Sequence, residues 1–424
     1  MKKTVLLSVI ASTMIMAGGD IAPVEPVVEA PAPAPVEESS TSGWTFNGEG
    51  VVYYQTIDAF SAKDLFAQET SVADAGIRLK AENKSIIGGF GAGVAVNGLA
   101  TLNLEDSVVS NVMQTANGNI TGGWISEGYL TYGIGNTMLK IGRQTLPGSL
   151  SPFAHSENWN VFENTYDAGL LVNSDIPDTT LVYAFVWRNN SNGYPQFVDA
   201  TGGHDFLKTF VKGSGEMATF GRTNGEKGVH MISAQNKSIP GLALTGSWYY
   251  GQDFVSTGND LNILWGSAAF EMAGFDVAVQ GGQVSPDTLN KTIAYGAKAG
   301  GKISIFSAHV AYSHVDDGAT GVFNVGGEQT PLYTQMIINE GAIAKDNDTF
   351  TVGAGLNLLG GTLGAGYGYT TDNSTAENNY QEIDVYYTTD IGGLNLLAGY
   401  VNMSYDKAPV DANNVVRLVT RYKF

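Results

Sequence analysis

Five histidines, His155, His204, His230, His309 and His314, are scattered along the chain, and cysteine is absent. None of the histidines stands in a metal-ligand spacing such as HExxH. Without thiols there is no disulfide, thiolate metal site or cysteine nucleophile. KDNDT at 345–349 is rich in oxygen donors but lacks the glycine and closing glutamate of an EF-hand loop. GGFGAGVAV contains G-x-G, yet it lies inside a strand pattern with no helix after it, so it is no phosphate cradle. No catalytic residue, cofactor or metal is expected, and the chain does not read as an enzyme. A net charge of −19 opposes nucleic-acid binding.

The charges that remain suggest electrostatic rather than bond-making chemistry. Arg78, Lys80, Lys140 and Arg188 fall on the polar face of alternating segments, and Glu157, Glu163 and Asp167 lie on or beside the connection 145–164. A basic wall facing an acidic loop across a narrow aqueous gap would orient and sort solutes by charge. Arg143 joins the set with difficulty. Alternation with Leu139 and Ile141 puts it on the opposite face, where a bulge could turn it inward or snorkelling could suffice. The overall acidity leans the expected preference weakly towards cations.

Such charges need a wall to hold them. From Trp44 onward the hydrophobic period is two. In TLVYAFVWR, Leu181, Tyr183, Phe185 and Trp187 share one face, while Thr180, Val182, Ala184, Val186 and Arg188 share the other. Segments at 76–80, 275–280 and 382–388 alternate likewise; those at 260–271 and 393–405 do not fix their faces. Eighteen such segments fit between 44 and 424, with sixteen as the lower alternative. Tight turns at ENKS 82–85, GGK 300–302 and LGG 359–361, among others, alternate with long polar connections at 104–121, 145–164, 189–227 and 315–347. Short and long connections at opposite ends predict an all-β, transmembrane, antiparallel up-and-down barrel with periplasmic turns and external loops. The 54 glycines, 20 tyrosines and 18 phenylalanines fit that class, as does a mean hydropathy of −0.03.

The ends agree. MKKTVLLSVIASTMIMAGG, 1–19, reads as a signal peptide, and the Pro-, Ala- and Glu-rich 20–43 as a periplasmic linker. The barrel is 44–424. Its last segment ends on Tyr422 and Phe424, as expected of a strand that must pair with the first and that the outer-membrane assembly machinery would read. A cylinder of eighteen strands is too wide for side chains to fill, so an aqueous channel is expected, narrowed by the connection after LKIGRQ.

LKIGRQTLPGSL, FENTYDAGLLV, TPLYTQMII and the terminal RYKF resemble the OprD-type porins and the related Campylobacter-group major outer-membrane porins. The likeness covers the barrel in layout, and GRQ at 142–144 with NTYDA at 164–168 carries it most specifically. It implies eighteen strands, a homotrimer, and a constriction loop at 145–164 inside the pore with Arg143 near its root. The family's fuller arginine ladder is missing, so its substrate preference does not carry over. The expected function is passive diffusion of small hydrophilic solutes and ions through the outer membrane of a Gram-negative bacterium, amid outer-membrane lipid and lipopolysaccharide. The alternative is a non-conducting barrel whose external loops act as adhesin or anchor.

Overall fold

The computed structural model describes residues 43–58, 64–193, 215–343, 346–374, 377–407 and 413–424. The expected leader, 1–19, lies outside them, as do the linker 20–43 apart from Gly43, and His204 and Lys345.

Eighteen antiparallel strands, from Thr45–Ile57 to Asn413–Lys423, form one wall. The wall closes on itself because the last strand pairs with the first, from Glu49↔Lys423 through Ile57↔Val415. Phe424 prolongs that ladder. Its N–H donates to the Gly48 carbonyl at 2.9 Å, and its own carbonyl accepts from the Gly48 N–H at 2.6 Å. Closure removes the sheet edges that hydrocarbon could not satisfy.

Tight turns gather at the end that holds both termini of the wall. Ala273–Gly274 and Leu359–Gly360 have positive φ at both positions, the turn geometry that suits twisted hairpins. Two turns differ from expectation. ENKS 82–85 belongs to the second strand, Ser71–Ile87, and the chain reverses at Gly88–Gly89 after a register shift beyond Asn83. GGK 300–302 stays within Thr292–Ile303, and the reversal comes at Ser304–Ile305. The glycines there make room rather than turn the chain: a Cβ at 301 would lie 2.9 Å from the Phe275 ring. The connection 189–227, expected as loop throughout, carries a short strand, Gly221–Glu226, that extends the wall beside Asn189.

The two faces are inverted relative to a soluble protein. Ile77, Leu130, Ile141, Leu264, Val277 and Ile383 are exposed on the outside. Inward positions are buried or charged. Several of the buried ones are large and apolar because described parts of the long connections fold into the lumen and pack there. One packed cluster joins Tyr53, Trp124 and Val415 of the wall to Met113, Trp159 and Phe162 of the connections. A second joins Tyr249, Ile263 and Trp265 to Leu150, Phe153 and Leu332. That packing explains why 260–271 and 393–405 did not fix their faces: Trp265 and Val401 are apolar on the inside, Leu264 and Tyr400 on the outside.

Candidate functional site

The connection 145–164 lies inside the barrel, and its anchors identify what holds it there. Phe162 rests on the second strand at Gly76, where a Cβ would come within 2.6 Å of the ring. Gln114, from the connection before it, clamps the Phe162 backbone in both directions: its amide nitrogen donates to the Phe162 carbonyl at 2.6 Å, and its oxygen accepts the Phe162 N–H at 2.9 Å. Arg421 of the last strand donates to the carbonyls of Val161 at 3.0 Å, Asn158 at 3.2 Å and Asn160. On the far side, Phe153 packs edge-on against Tyr249 and Trp265 of the ninth and tenth strands.

A further inward connection, described over 316–343, meets the first inside the barrel. Glu157, only 1% exposed, accepts four hydrogen bonds. The donors are Trp159 Nε1 at 2.8 Å, Asn324 Nδ2 at 2.8 Å, and the backbone N–H groups of Glu328 at 3.0 Å and Gln329 at 2.8 Å. Val325 N–H to the Phe153 carbonyl and His155 N–H to Asn324 Oδ1 complete the junction, at 3.0 and 2.8 Å. A charged acceptor fits a place where four donors converge away from water.

Glu328 makes this junction pH-sensitive. Burial, and then the nearby Glu157, push its carboxyl up to about 7 from an ordinary value of 4.5. A carboxyl raised on folding is uncharged at no cost at low pH, and its contribution is lost as the pH rises through the folded value. Docking of the two connections is therefore expected to be strongest in acid and weakest above about pH 7. Hydrogen exchange of 316–343 should accelerate across that range, and Glu328→Gln should flatten the profile. Exchange independent of pH-corrected chemistry in the wild type would contradict the assignment.

The charges expected in a constriction divide into two groups. Arg78, Lys80 and Lys140 do project inward. Arg78 meets Glu163 at 2.7 Å, and Lys80 meets Glu127 of the fourth strand at 3.0 Å. The Lys140 ammonium lies 3.9 Å from the centre of the Tyr129 ring. Burial alone would raise the Glu163 carboxyl, but Arg78 in contact holds it below the usual value. The arrangement is one of contact pairs along one side of the lumen rather than a basic wall facing an acidic loop across a gap. Glu157 is a structural junction and not a lumen-lining charge.

Arg143, Asp167 and Arg188 belong to the outside. Arg143 shares its parity with exposed Leu139 and Ile141, and Asp167 shares its parity with exposed Leu171. The two pair at 2.8 Å and 3.3 Å through both carboxyl oxygens of Asp167. Arg188 was expected inside with Val186. A bulge at Trp187 inserts one residue, so that Ala168 faces Val186 but Asp167 faces Arg188, and one extra residue moves all that follow to the other face. Sequence reasoning also left out Glu49, Glu127, Gln114 and Arg421. Arg421 was legible as an inward residue of the last strand; the role of Gln114 had no sequence signal, because its partner is a backbone.

No family model matches the sequence, and no curated protein matches it either. Solved structures do match the fold. OccK8 (OprE) of Pseudomonas aeruginosa is 14% identical with a TM-score of 0.67, over 90% of this chain and 98% of that one. OccAB2 of Acinetobacter baumannii is 16% identical with a TM-score of 0.67, over 92% and 99%. Pseudomonas aeruginosa OpdK, solved with vanillate, is 13% identical with a TM-score of 0.66, over 89% and 98%. The OprD-type resemblance in the sequence agrees with these structures at the level of architecture. What this chain shares with them is a closed antiparallel barrel of eighteen strands.

Proposed function

We propose that the protein is an outer-membrane porin of a Gram-negative bacterium, passing small hydrophilic solutes and ions by passive diffusion. One observation carries this: apolar side chains cover the outside, while Arg78, Lys80, Glu127, Lys140 and Arg421 project into the interior. Charges on the inside of a wall whose outside is apolar are favourable only where water fills the lumen and hydrocarbon surrounds it. The lumen-side pairs along the first five strands form the polar flank of the pathway, and the inward loops 145–164 and 316–346 set its width. The acidic chain favours a weak preference for cations, and assembly as a homotrimer follows from the OprD-type resemblance.

Lys140 offers a direct test, since its neighbour is the Tyr129 ring rather than an ion-pair partner. Removing one lumen charge changes the energy of an ion about 4 Å away in water by about 1 kcal/mol. Lys140→Gln is therefore expected to raise the cation-to-anion permeability ratio up to about fivefold, read from the zero-current potential in a planar bilayer under a salt gradient. An unchanged potential would remove Lys140 from the pathway. The packed apolar clusters inside the lumen favour a second reading, a plugged barrel acting as anchor or adhesin, and purified protein that gives no single-channel steps would select it.

A further inference from the structure

The outward row at the loop-bearing end of the wall has a chemistry unlike the rest of the outer face. Cross-strand register places Arg143 opposite Asp167, Asp167 opposite Arg188, and Arg188 opposite Arg222. Three guanidiniums thus stand in one row, Arg188 and Arg222 directly opposite each other and Asp167 between Arg143 and Arg188, on a chain of net charge −19. Arg143 is fixed: Asp167 holds it through both oxygens, the Ile125 carbonyl accepts from it at 2.9 Å, and its guanidinium carbon lies 3.2 Å from the centre of the Phe220 ring. Among the described residues, the ion-pair partner of Arg222 is an exposed Glu226, at 2.6 Å. Arg188 is exposed and has no ion-pair or hydrogen-bonding partner among the described residues. Like charges directly opposite one another across a ladder are destabilising, so Arg188 and Arg222 side by side favour an anion between them.

The height of the row and its surroundings say which anion. Just below it, towards the tight turns, lie Tyr183, Phe185 and His230, with Trp248 and Tyr250 on the next strand. Aromatic side chains of this kind mark the boundary between hydrocarbon and headgroups. Leu181 is exposed below Tyr183, and Leu171 and Ile232 are exposed beside Tyr183 on the neighbouring strands. The arginines therefore sit at headgroup level above a surface suited to acyl chains. On other strands, outward carboxylates at this end are bound by neighbouring side chains, Asp260 by Tyr250 and Asp348 by His314 and Tyr312. Guanidinium forks match phosphate oxygens two at a time.

We infer that Arg188 and Arg222, braced by the Arg143–Asp167 pair, bind the phosphate of an outer-leaflet lipid headgroup. The site rests on the outer-membrane reading but not on conduction. The test uses the full-length folded protein in detergent, titrated with dilauroyl phosphatidic acid and followed by native mass spectrometry. Dilauroyl phosphatidylcholine and inorganic phosphate serve as separate arms. The wild type should retain phosphatidic acid at a concentration at least tenfold lower than R188Q/R222Q, with no difference for phosphatidylcholine. Equal retention by wild type and double variant would overturn the site. Displacement of the lipid by equimolar inorganic phosphate would overturn the lipid assignment in favour of a free anion. Heat-modifiable gel mobility shows that the variant barrel is folded. Single-channel recording of both proteins tests the porin reading separately, and the double variant should conduct as the wild type does.

Discussion

Glu157→Ala is expected to raise single-channel conductance at least twofold while leaving the barrel folded. The carboxyl group of Glu157 joins the two inward connections, and four donors end on it. Its removal leaves Trp159 Nε1 and the backbone N–H groups of Glu328 and Gln329 without this acceptor, while Asn324 Nδ2 keeps the His155 carbonyl at 2.8 Å. An unsatisfied buried donor costs about 1–3 kcal/mol, so with three such donors the docked arrangement loses roughly 3 kcal/mol or more. That is enough to shift a docked loop to a largely undocked one, since 1.4 kcal/mol is about a factor of ten. The wall does not depend on Glu157, because its strands pair independently of the loops. Conductance and open-channel noise in planar bilayers read the effect. Unaltered conductance in a folded Glu157→Ala barrel would show that the junction does not set the width of the pathway.

Deletion of Phe424 should act on the wall itself. It removes the two hydrogen bonds to Gly48 and the ring that lies over Gly48, where any Cβ would collide with it. The ring also stacks near Tyr422, with centroids 6.1 Å apart. Two lost backbone bonds and an uncovered strand end amount to about 3 kcal/mol. The compact, heat-modifiable form should convert to the unfolded one at a distinctly lower temperature, and less protein should reach the membrane. Tyr422→Ala keeps the ladder and trims a ring, so its cost is expected to be about 1 kcal/mol. A deletion variant with wild-type thermal behaviour and yield would show that closure is complete without the last residue.

The wall was legible because its pattern is local. Period-two alternation in 178–188 and 380–389, and the closing pair of Tyr422 and Phe424, follow from which side chains face hydrocarbon. Arg78, Lys80 and Lys140 came out on the correct face by the same rule. Arg188 did not, since a single bulge at Trp187 reverses parity and a bulge leaves almost no trace in composition. Arg143 shows the opposite failure: alternation placed it outside, and the expectation of a loop-root charge drew it inside. The filling of the lumen was the least legible part. Loops that pack on the inner wall make inward residues apolar, as at Trp265 and Val401, so both faces look alike. Gln114 and Glu157 hold backbone groups whose identity no sequence records.

The path of the 145–164 connection has a mechanical consequence. In a ring of eighteen strands, the first and tenth stand on opposite sides, and this segment touches both neighbourhoods through Phe162 and Phe153. The 316–346 connection arrives from roughly a quarter-turn away, seats Met336 on Gly368 and ties Ile338 to Glu382 at 3.0 Å. Together they form crossed struts. A wide hollow cylinder under lateral membrane pressure tends to flatten into an ellipse, and two spars fastened at mid-span by Glu157 resist that along both axes. The segments that fill part of the interior thus keep its cross-section round.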